Sequence, residues 1–115
     1  MGGRGSAGSH AGGGISRVGL RGTERQVNYA RDLRSRANEA IDRGYEEALR
    51  TMNPTPEQRR VAEESVRVAR ETLNQETSAG TLIDTLSGVS FGGSTESTFG
   101  EVMSALQRLR YRKRS

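Results

Sequence analysis

From Val27 onward, apolar residues recur at three- and four-residue steps. Val27, Ala30, Leu33, Ala37, Ile41, Tyr45, Ala48 and Met52 form one stripe, and Arg31, Arg34, Arg36, Glu39, Asp42, Glu46 and Arg50 are expected mostly to face away from it. The pattern predicts one long helix. Thr23 to Gln26 supply a capping box at its start, in which a threonine hydroxyl accepts from the third helical amide and a glutamine reaches back. Gly44 lies inside the helix, costs about 1 kcal/mol relative to alanine and marks an expected kink or break. Asn53 and Pro54 end the stripe, because a residue before proline avoids the α region.

Thr55, Pro56, Glu57 and Gln58 restart a helix at once, with proline at the first helical position, where its missing amide costs nothing. Val61, Ala62, Ser65, Val68, Ala69 and Leu73 are its expected buried side. The tight connection predicts an antiparallel helical hairpin. Ser78 caps a short third helix carrying Leu82, Ile83 and Leu86, and Gly88 is placed to close it in the left-handed conformation. A fourth helix is expected near Thr98, where Thr98 and Glu101 again have capping-box spacing, with Phe99, Val102, Met103, Leu106 and Leu109 on one side. Val89 to Phe91 is the one segment compatible with a short strand. The expectation is an all-α fold of about four helices, a hairpin plus two shorter helices, over residues 23–107.

The remaining segments differ in composition. Residues 1–22 hold nine of the fifteen glycines, so ordering them is entropically expensive, and a disordered Gly-rich arm is expected. That arm carries Arg4, Arg17 and Arg21 and no acid, while residues 108–115, expected as a basic tail, carry Arg108, Arg110, Arg112, Lys113 and Arg114, again with none. Ten of the 18 basic residues remain to face all 14 acids in between, so a net-acidic body is flanked by cations although the whole chain is +4. Cations near a helix C-terminus are favoured by the macrodipole at about 0.3–1 kcal/mol each, which gives Arg108 and Arg110 a structural reason independent of any partner. Polycationic segments are also drawn to phosphate or to acidic protein surfaces. Tyr111 lies among these cations and is the best-placed aromatic for stacking.

Composition argues against several chemistries. Only 31% of residues are hydrophobic and 4% aromatic, so the core is small. With no cysteine there is no disulfide, thiolate metal site or cysteine nucleophile. His10, the one imidazole, lies in a Gly/Ser/Ala stretch without supporting ligands. Glu46-Glu47 and Glu63-Glu64 are charged pairs on arginine-studded helices and are expected to be solvated rather than poised for acid–base work. No Walker lysine accompanies the glycines. No catalytic residue, cofactor or metal is therefore expected. No apolar run approaches a membrane span or a secretory signal, and a soluble cytoplasmic protein is expected.

Thr23-Glu24-Arg25-Gln26-Val27-Asn28-Tyr29-Ala30-Arg31-Asp32-Leu33, followed by Ala79-Gly80-Thr81-Leu82-Ile83-Asp84-Thr85-Leu86, resembles a small helical module of bacteriophage and mobile-element proteins, of the form TE(K/R)QxxYxxxL and then ASxLIDxL. Gly80 stands where the second motif has serine, and the helix expected from Thr55 separates the two. The opening GGRGSAGS also looks like the start of small prophage proteins. The resemblance implies an accessory protein in a bacterial host cell, of the kind that includes anti-CRISPR inhibitors, and a nucleoprotein target such as a Cas nuclease with its guide RNA. Read from the residues alone, both motifs are also helix caps and packing positions, with Tyr29 and Leu33 meeting Leu82, Ile83 and Leu86, and with Asp84 free to pair with an arginine of the first helix.

The expected function is therefore non-enzymatic binding of a nucleoprotein through Arg4, Arg17, Arg21, Arg108, Arg110, Tyr111, Arg112, Lys113 and Arg114. The alternatives are direct, non-specific nucleic-acid binding and a minor phage structural or assembly role, for which homo-oligomerisation is expected. An acidic middle favours a nucleoprotein over plain coating of duplex DNA.

Overall fold

Threonine caps set the starts of the two long helices. In the computed structural model, which describes residues 18–114, α1 spans Glu24–Met52, α2 Pro56–Asn74, α3 Ala79–Leu86 and α4 Thr95–Arg114. Gln26 N donates to Thr23 Oγ1 at 3.1 Å while Gln26 Oε1 accepts from Thr23 N at 3.0 Å, and Gln58 and Thr55 repeat the arrangement. Asn53 ends α1 in the left-handed region with φ 49°. The chain then reverses. Asn38 faces Asn74 and Asp42 faces Arg70, so α2 runs back along α1 as a hairpin partner.

All three other helices pack on α1. Ala30, Leu33, Ala37 and Ile41 from α1, Val66, Ala69 and Leu73 from α2, Leu82 and Leu86 from α3, and Val102, Ala105 and Leu106 from α4 form the core. Three alanines in the α1 and α2 contribution allow close approach at the cost of buried area, as the composition implied. The expected stripe on α1 holds through Ile41, but Met52 is exposed. On α2 the expected line holds at Ala69 and Leu73 but not in the first turns, where Val66 is buried and Val61 and Ser65 face solvent.

Gly44 does not break α1. It is buried, and a Cβ built there would overlap the ring of Phe99, so the glycine lets α4 lie against α1. Gly88 does not take the left-handed conformation. Ser87 continues α3 in right-handed geometry, its amide bonded to Ile83 O at 2.9 Å, and Val89 N then bonds to Leu86 O at 3.0 Å. Two backbone bonds thus close the helix without a left-handed residue. No strand forms at Val89 to Phe91, and the described residues contain only an isolated parallel bridge between Arg21 and Ser78.

The fourth helix starts at Thr95, three residues before the expected position. Ser94 Oγ accepts from Ser97 N at 3.0 Å and makes the cap. Thr98 is inside the helix and buried, and its hydroxyl donates to Ser90 O at 3.1 Å, while Glu101 Oε1 accepts from Ser90 N at 2.9 Å. The Thr98/Glu101 pair therefore fastens the preceding loop instead of capping the helix. At its other end α4 continues to Arg114, so the basic run 108–114 is the last two turns of a helix and not a separate tail.

Part of the expected arm also belongs to the body. Val18 N donates to Asn74 O at 2.9 Å, Arg21 N to Thr77 O at 2.7 Å, and Ala79 N to Arg21 O at 2.9 Å, so residues 18–22 lie as a strap along the α2–α3 connection. The rest of the expected disordered arm, residues 1–17, lies outside the described residues.

Replacing Gly44 by alanine is expected to destabilise the protein by about 1–3 kcal/mol through overpacking against Phe99, despite alanine's advantage in a helix of about 1 kcal/mol. Urea unfolding of Gly44→Ala checks this. A midpoint at or above that of the parent would mean that Phe99 yields without cost.

Candidate nucleic-acid interface

The basic end of the molecule is assembled on buried polar groups. Arg34 is in phase with Ala30, Ala37 and Ile41 on α1 and is buried with them. Its guanidinium donates from Nη1 to Val18 O and from Nη2 to Glu76 O, both at 2.7 Å. One side chain thus ties the strap and the α2–α3 connection to α1. Asn38, one turn on, donates to Arg34 O at 3.0 Å and exchanges amide hydrogen bonds with Asn74 at 2.8 and 3.0 Å. Glu76 is also buried. Its Oε2 accepts from Ser78 N at 2.9 Å, and its Oε1 meets Lys113 Nζ from α4 at 2.8 Å.

These contacts determine which end of the bundle carries the charge. Phe99 at the start of α4 lies on Gly44, and Lys113 at its end reaches Glu76 beside Arg34, so α4 runs opposite to α1. Its basic C-terminus therefore lies beside the strap. Arg21 lies there too, its Nη2 donating to Thr77 Oγ1 at 3.4 Å. Val18, the first described residue, lies at the same end. Arg4 and Arg17 themselves lie outside the described residues.

The structure divides the expected contact residues by direction. Lys113 is engaged by the buried carboxylate and holds the last turn of α4 down. Arg110 and Arg114 turn toward α2 and line a groove of about 280 Å³ with Glu71 and Gln75. Arg110 also borders a groove of about 440 Å³ between α2 and α4, whose floor includes Val68, Ala69, Met103 and Leu106. The Glu64 carboxyl is held below its ordinary range by its hydrogen bond and charge pairing with Arg67, with a weaker contribution from Arg110. Arg108, Tyr111 and Arg112, spaced i, i+3 and i+4, share the outward side of α4, and all three are exposed.

Elsewhere the charged surface neutralises itself locally. Along α1, Asp32 pairs with Arg36 at 3.1 Å, Glu39 with Arg43 at 2.8 Å, and Glu47 with Arg50. On α2, Arg67 pairs with Glu64 at 2.7 Å and Glu71 at 3.4 Å. Such exposed pairs contribute about 0–1 kcal/mol each, but they leave no sustained positive potential along those helices. Asp84 is exposed and forms none of the ion pairs found among the described residues. Tyr29 is about half exposed, so Leu33, Leu82 and Leu86 carry the packing expected of the two motifs.

No group of His, Cys, Asp and Glu side chains among the described residues is arranged to hold a metal ion, and no helix there is long and apolar enough to cross a membrane. Comparison with known proteins finds no family model, no curated protein and no solved structure that matches the chain.

Sequence reasoning missed Arg34, Asn38, Asn74 and Glu76, which position the basic end from beneath. A signal was present: Arg34 and Asn38 fall on the same helical phase as Ala30, Ala37 and Ile41. Lys113→Met is expected to lower stability by about 1–3 kcal/mol by stranding the Glu76 carboxylate, and adding Glu76→Gln is expected to recover part of the loss. Thermal unfolding of the single and double variants checks this, and equal stability of Lys113→Met and parent would remove Lys113 from the network.

Proposed function

We propose that this is a non-enzymatic binding protein, encoded by a phage or other mobile element, that engages a nucleoprotein through its basic end and inhibits a host CRISPR-Cas nuclease. The phage origin and the inhibitor class come from the resemblance of the two short motifs. The observation that carries the binding reading is geometric: the basic end of α4 and Arg21 in the strap converge on one end of the bundle. Cations separated in sequence then act as one local field, which raises the local concentration of a polyanion and speeds encounter.

The remaining surface favours a nucleoprotein over bare duplex. Alternating acids and arginines on α1 and α2 repel a broad phosphate surface about as much as they attract it, whereas a protein that carries nucleic acid presents both signs. Arg108, Arg110, Arg112 and Arg114 are the contact residues, and Lys113 supports them from within.

The test adds the full chain to purified Cas nucleases loaded with guide RNA and measures target cleavage. Suppression is expected with the parent protein and is expected to be lost in Arg108→Ala/Arg110→Ala/Arg112→Ala/Arg114→Ala, which leaves the Lys113–Glu76 pair intact. Each phosphate contact removed should also shallow the log–log salt dependence of binding by about 0.7–0.9. Undiminished cleavage with every nuclease tried, or suppression that survives the quadruple substitution, would overturn this reading.

A further inference from the structure

We infer that the outward side of the last two turns of α4 is a contact for an unpaired strand of nucleic acid, with the Tyr111 ring stacking on a base and Arg108 and Arg112 holding the flanking phosphates. The inference rests on the proposed basic-end function and names the form of nucleic acid that this end takes.

Three observations point to a single strand. The first is the side chains themselves. Tyr111 is 63% exposed on a helix whose buried side is Val102, Ala105, Leu106 and Leu109, so it lies off the core, and the exposed Arg108 and Arg112 occupy the positions three before and one after it on that side of the helix. An exposed aromatic flanked by cations binds strands by stacking plus charge, and stacking needs a base that is not enclosed in a duplex.

The second is the length of the basic surface. Arg108 and Arg112 are one helical turn apart, a rise of about 6 Å, comparable with the phosphate step along an extended strand. Toward the start of α4 the other exposed positions are Thr95, Glu96, Ser97, Gly100, Ser104 and Gln107, which offer no further cation. A helix that reads duplex DNA in the major groove presents a longer row of contact residues along its groove face.

The third is the surrounding charge. Glu64 and Glu71 line the grooves on the α2 side of this end, and the α1 and α2 ladders lie beyond. A duplex wide enough to span those surfaces meets these carboxylates, whereas a strand following Arg108, Tyr111 and Arg112 avoids them. The backbone of α4 does not substitute for the side chains, because a helix C-terminus carries partial negative charge and repels phosphate.

The test uses the full chain with fluorescently labelled oligothymidylate, oligouridylate and a short DNA duplex at low salt. It compares the parent with Tyr111→Ala, Tyr111→Trp and Arg108→Ala/Arg112→Ala, each checked for unchanged thermal unfolding. Tyr111→Ala is expected to weaken single-strand binding by about 5- to 150-fold with little effect on duplex. The double arginine variant is expected to weaken every nucleic acid and to flatten the salt dependence. Tyr111→Trp, the only tryptophan in the chain, is expected to retain strand binding and to show quenched indole fluorescence in the complex. Equal strand affinity for parent and Tyr111→Ala, or tighter binding of duplex than of either strand, overturns the inference while leaving the basic-end function standing if the arginine variant still weakens binding. No binding of any nucleic acid, alone or in a guide-loaded nuclease, overturns both.

Discussion

Everything at the basic end of this protein depends on burying one guanidinium. Leaving Arg34 unpaired among apolar side chains would be costly, so it is held by two backbone carbonyls from segments that no helix would otherwise position. Those carbonyls belong to Val18 in the strap and Glu76 in the α2–α3 connection. By satisfying the arginine they fix both segments against α1, and Glu76 in turn presents its carboxylate to Lys113. The sequence of constraints runs from one buried charge to the orientation of the last turn of α4. The core is small and rich in alanine, so this polar network supplies specificity that apolar packing alone would not.

The same logic explains why the charged ends look independent in the sequence but not in three dimensions. Cations at positions 21 and 108–114 are far apart along the chain, and only the antiparallel path of α4 over α1, set by Gly44 meeting Phe99 at one end and Glu76 meeting Lys113 at the other, brings them to one place. Function, in the reading proposed above, is a property of that end. The long helices contribute rigidity and a locally neutral surface, which confines attraction to the place where charge is unbalanced.

Much of the fold was legible because its signals are local. Thr23/Gln26 and Thr55/Gln58 each contain a complete cap, Ser78 starts α3, and the apolar phase of α1 runs undisturbed from Ala30 to Ile41. The misreadings occur where a residue serves a distant partner. Gly44 reads as a helix breaker but is a recess for Phe99, and Thr98 reads as a cap but its hydroxyl is used by Ser90. Arg34 reads as a solvated arginine because charge outweighs phase in a hydropathy pattern, although its position on the core stripe is plain once phase is read alone. At the basic end, sequence could nominate the cations but not their directions. That Lys113 turns inward to Glu76 while Arg108 and Arg112 face out follows from the seating of α4.

One end of the bundle, organised by Arg34 and Glu76, is the proposed contact surface. The most direct measurement is a map of backbone amide shifts in the full chain on titration with a short single-stranded oligonucleotide. Changes concentrated at residues 107–114, with smaller ones at 18–22 and 75–79 through the buried network, are the predicted result. Changes centred on the α1–α2 hairpin tip around Met52 and Val61, or spread evenly along α1 and α2, would contradict it.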